Sequence, residues 1–176
     1  APGNHPRKVE KAFAAGADAV ILDLEDAVAI AEKEATRAVV VSAMRRRRAV
    51  RGYVRVNGFE SKYCMGDLDA VIGPWLDGIV LPKSETAGQL QAVDVRITQL
   101  EQRAGMQQGA IEIMPLLETA KGIENATSIA ASSPRLRRLA FGGGDYTHDL
   151  DLLWTPEEHE LAYARARLTH ASRVAG

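Results

Sequence analysis

The sequence has 176 residues, and its 22 Lys and Arg against 23 Asp and Glu give a formal net charge of -1 at pH 7. This length predicts one domain with a sizeable core, and the balanced charge excludes the strongly basic surface typical of nucleic-acid binding. No apolar run approaches the roughly 18 residues of a membrane-spanning helix, and no signal peptide opens the sequence. The single cysteine, Cys64, has no partner for an internal disulfide. These features predict a cytoplasmic protein without a membrane or nucleic-acid partner.

Short apolar runs alternate with longer helical patterns along the whole chain. Helices are predicted at residues 7–17, 30–44, 67–76, 86–106, 123–132 and 156–174. Strands are predicted at residues 19–26, 52–57, 78–83, 110–120 and 136–145. Near-continuous apolar runs, without strict alternation, are typical of parallel strands buried on both faces. The pattern therefore predicts an α/β fold with a parallel sheet.

Each predicted strand delivers a charged residue at or near its carboxyl end. These residues are Glu25, Arg55, Lys83, Glu118 and Asp145. The carboxyl ends of parallel strands meet at one edge of a sheet. We therefore expect the five side chains to surround a common depression, which is the predicted functional site.

The alternation of strands and helices fits two architectures, a TIM-type (β/α)8 barrel and an open doubly wound sheet. No Gly-x-Gly-x-x-Gly fingerprint follows the first strand, and several strand ends offer polar groups to one place, so the barrel is favoured. Five strands do not close an eight-stranded barrel. We expect residues 1–176 to form one partial barrel domain whose first and last strands lie outside this sequence.

Glu118 and Asp145 are the predicted metal ligands. Mg²⁺ prefers oxygen ligands and is commonly held by one or two protein carboxylates, while water and substrate fill its other positions. Two acids at neighbouring strand ends supply such a pair. The alternative from the residues alone is that each acid caps the helix that follows it.

Three carboxylates, Asp23, Glu25 and Asp26, fall within four residues at the end of the first strand. Such a group repels itself unless cations hold it. Glu25 and Asp26 either orient water on the metal or pair with Arg55 or Lys83, and both interpretations stay open. Asp23 is predicted to be structural.

The two cations near these acids also have alternative roles. Arg55 lies inside an apolar strand, where its planar guanidinium either holds the carboxylate of a substrate or forms an internal salt bridge to the nearby acids. Lys83 at the next strand end predicts an ion pair or, alternatively, the desolvated amine of a Schiff-base aldolase.

Two further segments are candidate anion sites. Backbone N–H groups of the run Gly142-Gly143-Gly144 could contact an anionic oxygen, or the glycines could merely allow a tight turn. The basic run at residues 45–48 could contact a phosphate or a partner, although such a run at a helix end is usually only solvated.

Six short motifs occur along the chain. They are Pro2-Gly3-Asn4 with Lys11, Ile21-Leu22-Asp23-Leu24-Glu25-Asp26-Ala27-Val28, Val54-Arg55-Val56-Asn57, Leu81-Pro82-Lys83, Leu117-Glu118-Thr119-Ala120, and Phe141-Gly142 with Asp145. In this order and spacing they resemble the citrate lyase beta-subunit-like branch of the HpcH/HpaI aldolase family, which also includes malyl-CoA lyases.

The resemblance implies a TIM-type barrel that uses Mg²⁺ to cleave or form carbon–carbon bonds in 3-hydroxyacyl-CoA thioesters. It implies metal ligands at Glu118 and Asp145. The other roles it implies are catalysis by Arg55, Glu25 and Asp26 and substrate binding by Arg55, Gly144 and Lys11. His5 stands where some members carry a basic residue that meets the CoA phosphate.

The resemblance also implies features beyond the sequence. The family pattern has a strand before Pro2 and further strands after Gly176, and in malyl-CoA lyases a neighbouring subunit donates a C-terminal acid as the catalytic acid/base. A homotrimer or homohexamer is therefore expected, and an open sheet edge would itself require cover.

Three functional hypotheses follow from these patterns. The first is a Mg²⁺-dependent carbon–carbon lyase acting on an acyl-CoA such as citryl-CoA or malyl-CoA, or on a related oxo-acid. The second is a catalytically incomplete accessory or oxo-acid-binding subunit of the same fold. The third is a lysine aldolase that uses Lys83.

Overall fold

A computed structural model describes residues 1–46 and 48–176 of the chain. The described residues form five strands, which are β1 (Ala19–Asp23), β2 (Arg51–Arg55), β3 (Gly78–Leu81), β4 (Glu112–Leu117) and β5 (Ala140–Phe141). All neighbouring strands are parallel and lie in sequential order. A doubly wound sheet reverses its strand order at a switch point. The sequential order therefore excludes that architecture for these strands and is consistent with part of a TIM-type barrel.

Helices follow the strands on one side of the sheet. They are α1 (Pro6–Phe13), α2 (Lys33–Met44), α3 (Cys64–Val71), α4 (Ala87–Arg103), α5 (Ala120–Glu124), α6 (Ala126–Ala130), α7 (Gly143–Asp149) and α8 (Ala162–Ala175). A 3-10 turn at Ile30–Glu32 leads into α2, and another at His159–Leu161 leads into α8. Among the helices of the described residues, none has the length and apolarity to span a membrane.

The start of α4 is the helix boundary that the sequence predicts best. The Thr86 hydroxyl accepts a hydrogen bond from the Gln89 N–H at 3.3 Å, and the Gln89 carboxamide oxygen accepts from the Thr86 N–H at 3.1 Å. This reciprocal capping box satisfies two N–H groups that have no partner within the helix. The helix predicted at residues 86–106 therefore begins with Thr86 as its N-cap and ends at Arg103.

The predicted helix at residues 156–174 begins too early. The helix α8 starts at Ala162, because Glu158 adopts a left-handed backbone conformation with φ of 53°, which an α-helix does not allow. The Glu160 carboxylate instead accepts hydrogen bonds from the Thr155 N–H and hydroxyl. Pro156 is therefore part of a loop and does not open the helix.

The predicted strand at residues 136–145 is also wrong in its length. Leu136 makes an isolated bridge with Ile113, and regular pairing is confined to Ala140–Phe141. The chain then turns at Gly142 into α7, so Asp145 lies in the first turn of a short helix and not at the end of a strand.

The two faces of the sheet have different chemistry. Leu22, Val54, Ile79 and Ile113 stand side by side in register, are fully buried, and belong to the hydrophobic core on the helix-covered face. The next register row, one residue further along, is Asp23, Arg55, Val80 and Met114. Because successive side chains in a strand point to opposite faces, this second row lies on the inner face, together with its charges.

The Tyr53 side chain on β2 fills part of the inner face. The Tyr53 ring crosses β3 at Gly78, where an added Cβ would lie 2.6 Å from the ring. Its hydroxyl donates a hydrogen bond to the Glu112 carboxylate on β4 at 2.9 Å. Glycine at position 78 is required by this contact.

A buried arginine, Arg135, links α4 to the segment before β5. Its guanidinium is 2.5 Å from Asp94 and donates to both oxygens of Glu101 at 2.8 and 2.7 Å. Glu101 also accepts from the backbone N–H groups of Gly109 and Ile111. Burial opposes ionisation of Glu101, but these hydrogen bonds outweigh it and lower the pKa of Glu101.

We expect Arg135→Met to lower the free energy of unfolding by about 3–5 kcal/mol, because it leaves buried carboxylates without their cation. Arg96→Met is the matched control, since Arg96 lies on α4, the helix that carries the acids paired with Arg135, and pairs with Asp69 at a more exposed position. Its loss should stay below about 1 kcal/mol. Urea unfolding at pH 7 measures both values, and equal losses would contradict a structural role specific to Arg135.

Candidate functional site

The predicted strand-end residues meet at the carboxyl edge of the sheet. We call this group the carboxyl-edge cluster, and its members are Asp23, Glu25, Asp26, Arg55, Lys83, Glu118 and Asp145. Five carboxylates share two cations, so the cluster is strongly acidic. The geometry therefore confirms that the predicted residues come together, whereas their individual roles stay predictions.

Arg55 and Asp23 form the most ordered contact in the cluster. They are partners in the register of β1 and β2, and Arg55 donates to both Asp23 oxygens, from Nε at 2.7 Å and from Nη2 at 2.5 Å. Burial alone would raise the pKa of Asp23, but the hydrogen bonds from Arg55 and from the Glu25 and Ala27 N–H groups lower it. The internal salt bridge predicted as an alternative for Arg55 is present.

Arg55 nevertheless retains access to open space. Its side chain is 22% exposed and lines a cavity of about 330 Å³ on the inner face, together with Asp23, Val80 and Met114. Its Nη1 lies 3.0 Å from the Glu25 carboxylate. A guanidinium has five N–H donors, so the contacts with Asp23 leave donors for another anion.

Lys83 is the second cation, and it contacts three acids through its ammonium. The Nζ atom lies 2.6 Å from Glu25, 3.5 Å from Asp26 and 3.4 Å from Asp145. Burial works to lower the pKa of Lys83, but the hydrogen bond to Glu25 and the charges of Glu25, Asp26 and Glu118 outweigh it and raise the pKa above its ordinary value. A Schiff-base nucleophile must be a neutral amine. The protonated state of Lys83 therefore argues against the lysine-aldolase hypothesis.

Glu118 is a buried carboxylate with an unusual protonation equilibrium. Its residue is 3% exposed, and burial, reinforced by the charge of Asp145, raises the pKa of Glu118 to about 7. A hydrogen bond from the Lys83 backbone N–H at 2.9 Å acts in the opposite direction. An added Cβ at Gly142 would lie 2.5 Å from the Glu118 Oε2 atom, so the glycine leaves room for this carboxylate.

Asp145 reaches the cluster from α7 and is half-exposed. It lies in the first turn of α7, but the N-cap of that helix is Gly142, without a side-chain cap hydrogen bond, and the Asp145 carboxylate contacts Lys83. The helix after Glu118 is capped by Thr119, so neither acid is the helix cap of the alternative interpretation. Glu118 and Asp145 repel each other, and a dication between them would remove this repulsion.

The donor chemistry of the cluster fits a hard dication. Within residues 1–46 and 48–176, no group of three or more His, Cys, Asp or Glu side chains is arranged to hold a metal ion. Mg²⁺, however, is commonly bound through one or two carboxylates plus water and substrate. The pair Glu118 and Asp145 meets that requirement.

Glu25 and Asp26 pair with the cations, as one of the two sequence interpretations predicts. Glu25 is 5% exposed, and burial raises its pKa although Lys83 and Arg55 counteract this effect. Asp26 is exposed and contacts only the Lys83 ammonium among the ion pairs of the described residues. The proposed orientation of water by Glu25 and Asp26 stays a prediction.

The other predicted binding residues lie at the margin or away from the cluster. Gly144 is exposed and adjoins Asp145, and its carbonyl accepts a hydrogen bond from Thr147. Lys11 is exposed on α1, and within the described part of the chain its side chain makes no ion pair or hydrogen bond with the cluster. Their roles in substrate binding stay predictions.

The described residues of the basic run at 45–48 contact side chains outside the carboxyl-edge cluster. Arg48 pairs with Asp77 at 2.6 Å, just before β3 and thus at the amino edge of the sheet. Arg46 is 3.7 Å from Glu10, and Arg45 stacks on the Trp75 ring at 3.9 Å. Arg47 lies outside the described residues. The amino-edge position separates Arg48 from the carboxyl-edge cluster.

Sequence reasoning missed a buried lysine beneath the cluster. Lys33 donates to the carbonyls of Leu24 and Glu25 at 3.0 and 2.8 Å and to the Asn57 side chain at 2.6 Å. Asn57 in turn donates to Asp67. A lysine in the first turn of a charged helix resembles a solvated residue, so the polar end of the strand motif at Asn57 was the only signal.

Comparison with known proteins places the chain in a family. The family described as HpcH/HpaI aldolase/citrate lyase matches residues 1–176. Citrate lyase subunit beta from Leuconostoc mesenteroides subsp. cremoris is 37% identical over 177 aligned positions, covering 99% of this chain and 59% of that protein. L-malyl-CoA/beta-methylmalyl-CoA lyase from Cereibacter sphaeroides (strain ATCC 17029 / ATH 2.4.9) is 34% identical over 159 positions, covering 88% and 50%. The chain thus spans between half and three fifths of the length of these relatives.

Solved structures agree with this assignment. The citrate lyase beta subunit of M. tuberculosis complexed with oxaloacetate and magnesium superposes with a TM-score of 0.79 at 29% identity, covering 100% of this chain and 73% of that chain. Protein CitE from Mycobacterium tuberculosis in complex with magnesium, acetoacetate and coenzyme A gives a TM-score of 0.78 at 29% identity, covering 100% and 61%. The resemblance predicted from the motifs is confirmed, and this chain belongs to the HpcH/HpaI aldolase/citrate lyase family, whose members include citrate lyase beta subunits and malyl-CoA lyases.

Proposed function

We propose that the protein is a Mg²⁺-dependent carbon–carbon lyase that acts on a 3-hydroxyacyl-CoA thioester such as citryl-CoA or malyl-CoA. The observation that carries this proposal is the acidic pair Glu118 and Asp145 beside the two cations Arg55 and Lys83. One edge of the sheet then offers ligands for a dication next to donors for a carboxylate. The magnesium and oxaloacetate in the M. tuberculosis relative support the same assignment.

Glu118 and Asp145 are the residues that would hold the dication. A bound Mg²⁺ would supply Lewis-acid stabilisation of the negative charge that develops on an oxo-acid when a carbon–carbon bond breaks. A hydrogen bond from the Lys83 N–H holds the Glu118 carboxylate in place, and the absence of a side chain at Gly142 leaves room for it. Asp145 is more exposed and can adjust to the ligand.

Arg55 is proposed to bind the carboxylate of the oxo-acid. The planar guanidinium suits a carboxylate, and the bidentate contact with Asp23 fixes its plane. Glu25 and Asp26 are proposed to hold the Lys83 ammonium and to orient water at the site. Gly144 and Lys11 are proposed as further contacts for substrate.

The proposed assembly is a cytoplasmic homotrimer or homohexamer. Its support is the family resemblance, in which a neighbouring subunit donates a catalytic acid. The resemblance assigns this acid to a C-terminal part beyond residue 176, and that part of a second subunit is proposed to complete the site near the bond to be broken.

An oxo-acid-binding subunit without turnover is the second candidate. It is favoured by one observation, that Arg55 and Lys83 are already paired with internal carboxylates. A single-turnover assay of the full-length protein with Mg²⁺ and either citryl-CoA or malyl-CoA separates the two functions. Formation of acyl-CoA and oxo-acid products supports the lyase, whereas substrate binding without cleavage supports the second candidate.

We expect Glu118→Gln and Asp145→Asn each to weaken Mg²⁺ binding at least tenfold, because each removes a negative charge that the dication needs. Oxaloacetate should bind the parent protein more tightly with Mg²⁺ than without it, and the variants should lose this gain. Calorimetric titration measures both effects.

Asp151→Asn is the control for the metal experiment, since Asp151 is exposed and lies outside the carboxyl-edge cluster. It should bind Mg²⁺ as the parent does. Oxaloacetate binding that is indifferent both to Mg²⁺ and to the substitutions at Glu118 and Asp145 would defeat the metal assignment.

We expect Arg55→Lys to weaken oxaloacetate binding about tenfold while Mg²⁺ affinity changes by less than about twofold, because lysine keeps the charge but loses the planar fork. Arg51→Lys, at the other end of β2 and more exposed, is the matched control. If Arg55→Lys binds the acid as tightly as the parent, Arg55 serves only the internal salt bridge.

Glu118 also predicts the pH dependence of stability in EDTA-treated protein. Because its folded-state pKa of about 7 exceeds the ordinary value of 4.5, the folded state binds an extra proton between these pH values. The stability that this proton contributes is present below about pH 4.5 and is lost as the pH rises through 7.

Glu118→Gln should therefore be more stable than the parent at pH 8, by about 2 kcal/mol, and should show a flatter pH dependence between 4.5 and 7. Urea unfolding at a series of pH values gives the measurement. An unchanged slope in the variant would show that Glu118 ionises normally in the folded protein.

A further inference from the structure

The Lys83 ammonium lies where several carboxylates converge. It is within 3.5 Å of Glu25, Asp26 and Asp145, while the backbone N–H of the same residue binds Glu118. Lys83 thus contacts both acids of the proposed metal pair through two different groups. The backbone group supports one ligand, and the ammonium neutralises the other.

The backbone of Lys83 is fixed. Its φ of 48° is in the left-handed region, which non-glycine residues adopt only when surrounding contacts impose it. The next residue, Ser84, donates its hydroxyl to the Leu81 carbonyl and its N–H to the Leu116 carbonyl on β4. The N–H of Lys83 is therefore held towards Glu118 whatever the side chain does.

The side chain of Lys83, by contrast, has freedom to move. It is 43% exposed and ends in a single charge on a flexible four-carbon stem. Its short contact is with Glu25 at 2.6 Å, whereas its distance to Asp145 is 3.4 Å. The ammonium can therefore leave Asp145 and keep its closer partner.

Electrostatic repulsion from the Lys83 ammonium opposes the binding of a dication at Glu118 and Asp145. A cation on Asp145 and the ammonium a few ångströms away repel each other, and the repulsion is substantial in a partly buried site. The ammonium lies 3.4 Å from the Asp145 Oδ2 atom, so a dication that binds this carboxylate would lie close to it. Occupation by one must weaken occupation by the other.

We propose that Lys83 is a displaceable counter-ion whose ammonium competes with the divalent cation for Asp145. In this role Lys83 lowers the metal affinity of the free protein and stabilises the acidic cluster when metal is absent. The inference rests on the proposed metal site at Glu118 and Asp145, and it adds a residue that opposes metal binding.

The test compares Mg²⁺ affinities of Lys83→Met and Lys83→Arg by calorimetric titration without any oxo-acid. Methionine has a similar length, carries no charge, and keeps the backbone N–H that binds Glu118. Lys83→Met should bind Mg²⁺ about tenfold more tightly than the parent, whereas Lys83→Arg, which keeps the charge, should bind within about threefold of it. Lys8→Met, an exposed lysine on α1, controls for the change in net charge and should match the parent.

The results distinguish a failure of the counter-ion role from a failure of the metal site. If the parent binds Mg²⁺ and Lys83→Met binds it equally or more weakly, the counter-ion role is wrong while the metal site stands. Binding by Lys83→Met but not by the parent supports both. If neither binds Mg²⁺, although circular dichroism and urea unfolding show folded proteins, the counter-ion role is wrong, and the oxaloacetate titrations with and without Mg²⁺ decide whether the metal site stands.

Discussion

A shortage of positive charge governs the carboxyl edge of the sheet. Five carboxylates lie within reach of two cations, and Asp23 takes the greater part of the Arg55 guanidinium. Glu25 contacts the Nη1 group of Arg55 and shares the Lys83 ammonium with Asp26 and Asp145, whereas Glu118 is bound by the Lys83 N–H. The raised pKa of Glu118 is the direct result, because burial and Asp145 act on a carboxylate that forms no ion pair within residues 1–46 and 48–176. Function at this edge therefore depends on how charge is added to it.

The parallel register makes this arrangement possible. Pairing of Asp23 with Arg55 across β1 and β2 places the ion pair one residue beyond the fully buried row of Leu22 and Val54. A shift by one residue would exchange these rows and bury the charges under the helices. The hydrophobic core thus determines which side chains face the site, and the strand ends determine which of them reach it.

Much of this organisation is predictable from local sequence. Apolar runs that end in a charged residue predict β1 to β4, because the buried residues of each strand and the residue at its end are adjacent in sequence. The short β5 and the helix after it are different. Gly142 can continue a strand or begin a helix, and the choice depends on its pairing with the Leu117 carbonyl, which is remote in sequence. Lys33 could not be predicted for the same reason, because its buried contacts are with residues that follow two separate strands.

The Tyr53 ring packs over Gly78, so a side chain of one strand fills the space beside the next strand. One large side chain on β2 occupies the space above β3, and its hydroxyl reaches Glu112 on β4. Three neighbouring strands therefore share a single packing unit. A Cβ at position 78 would lie 2.6 Å from this ring and 2.8 Å from the backbone carbonyl oxygen of Glu112, so a smaller residue at position 53 alone would not make room for one. The spacing of β3 and β4 and the packing of β2 therefore both require glycine at this position.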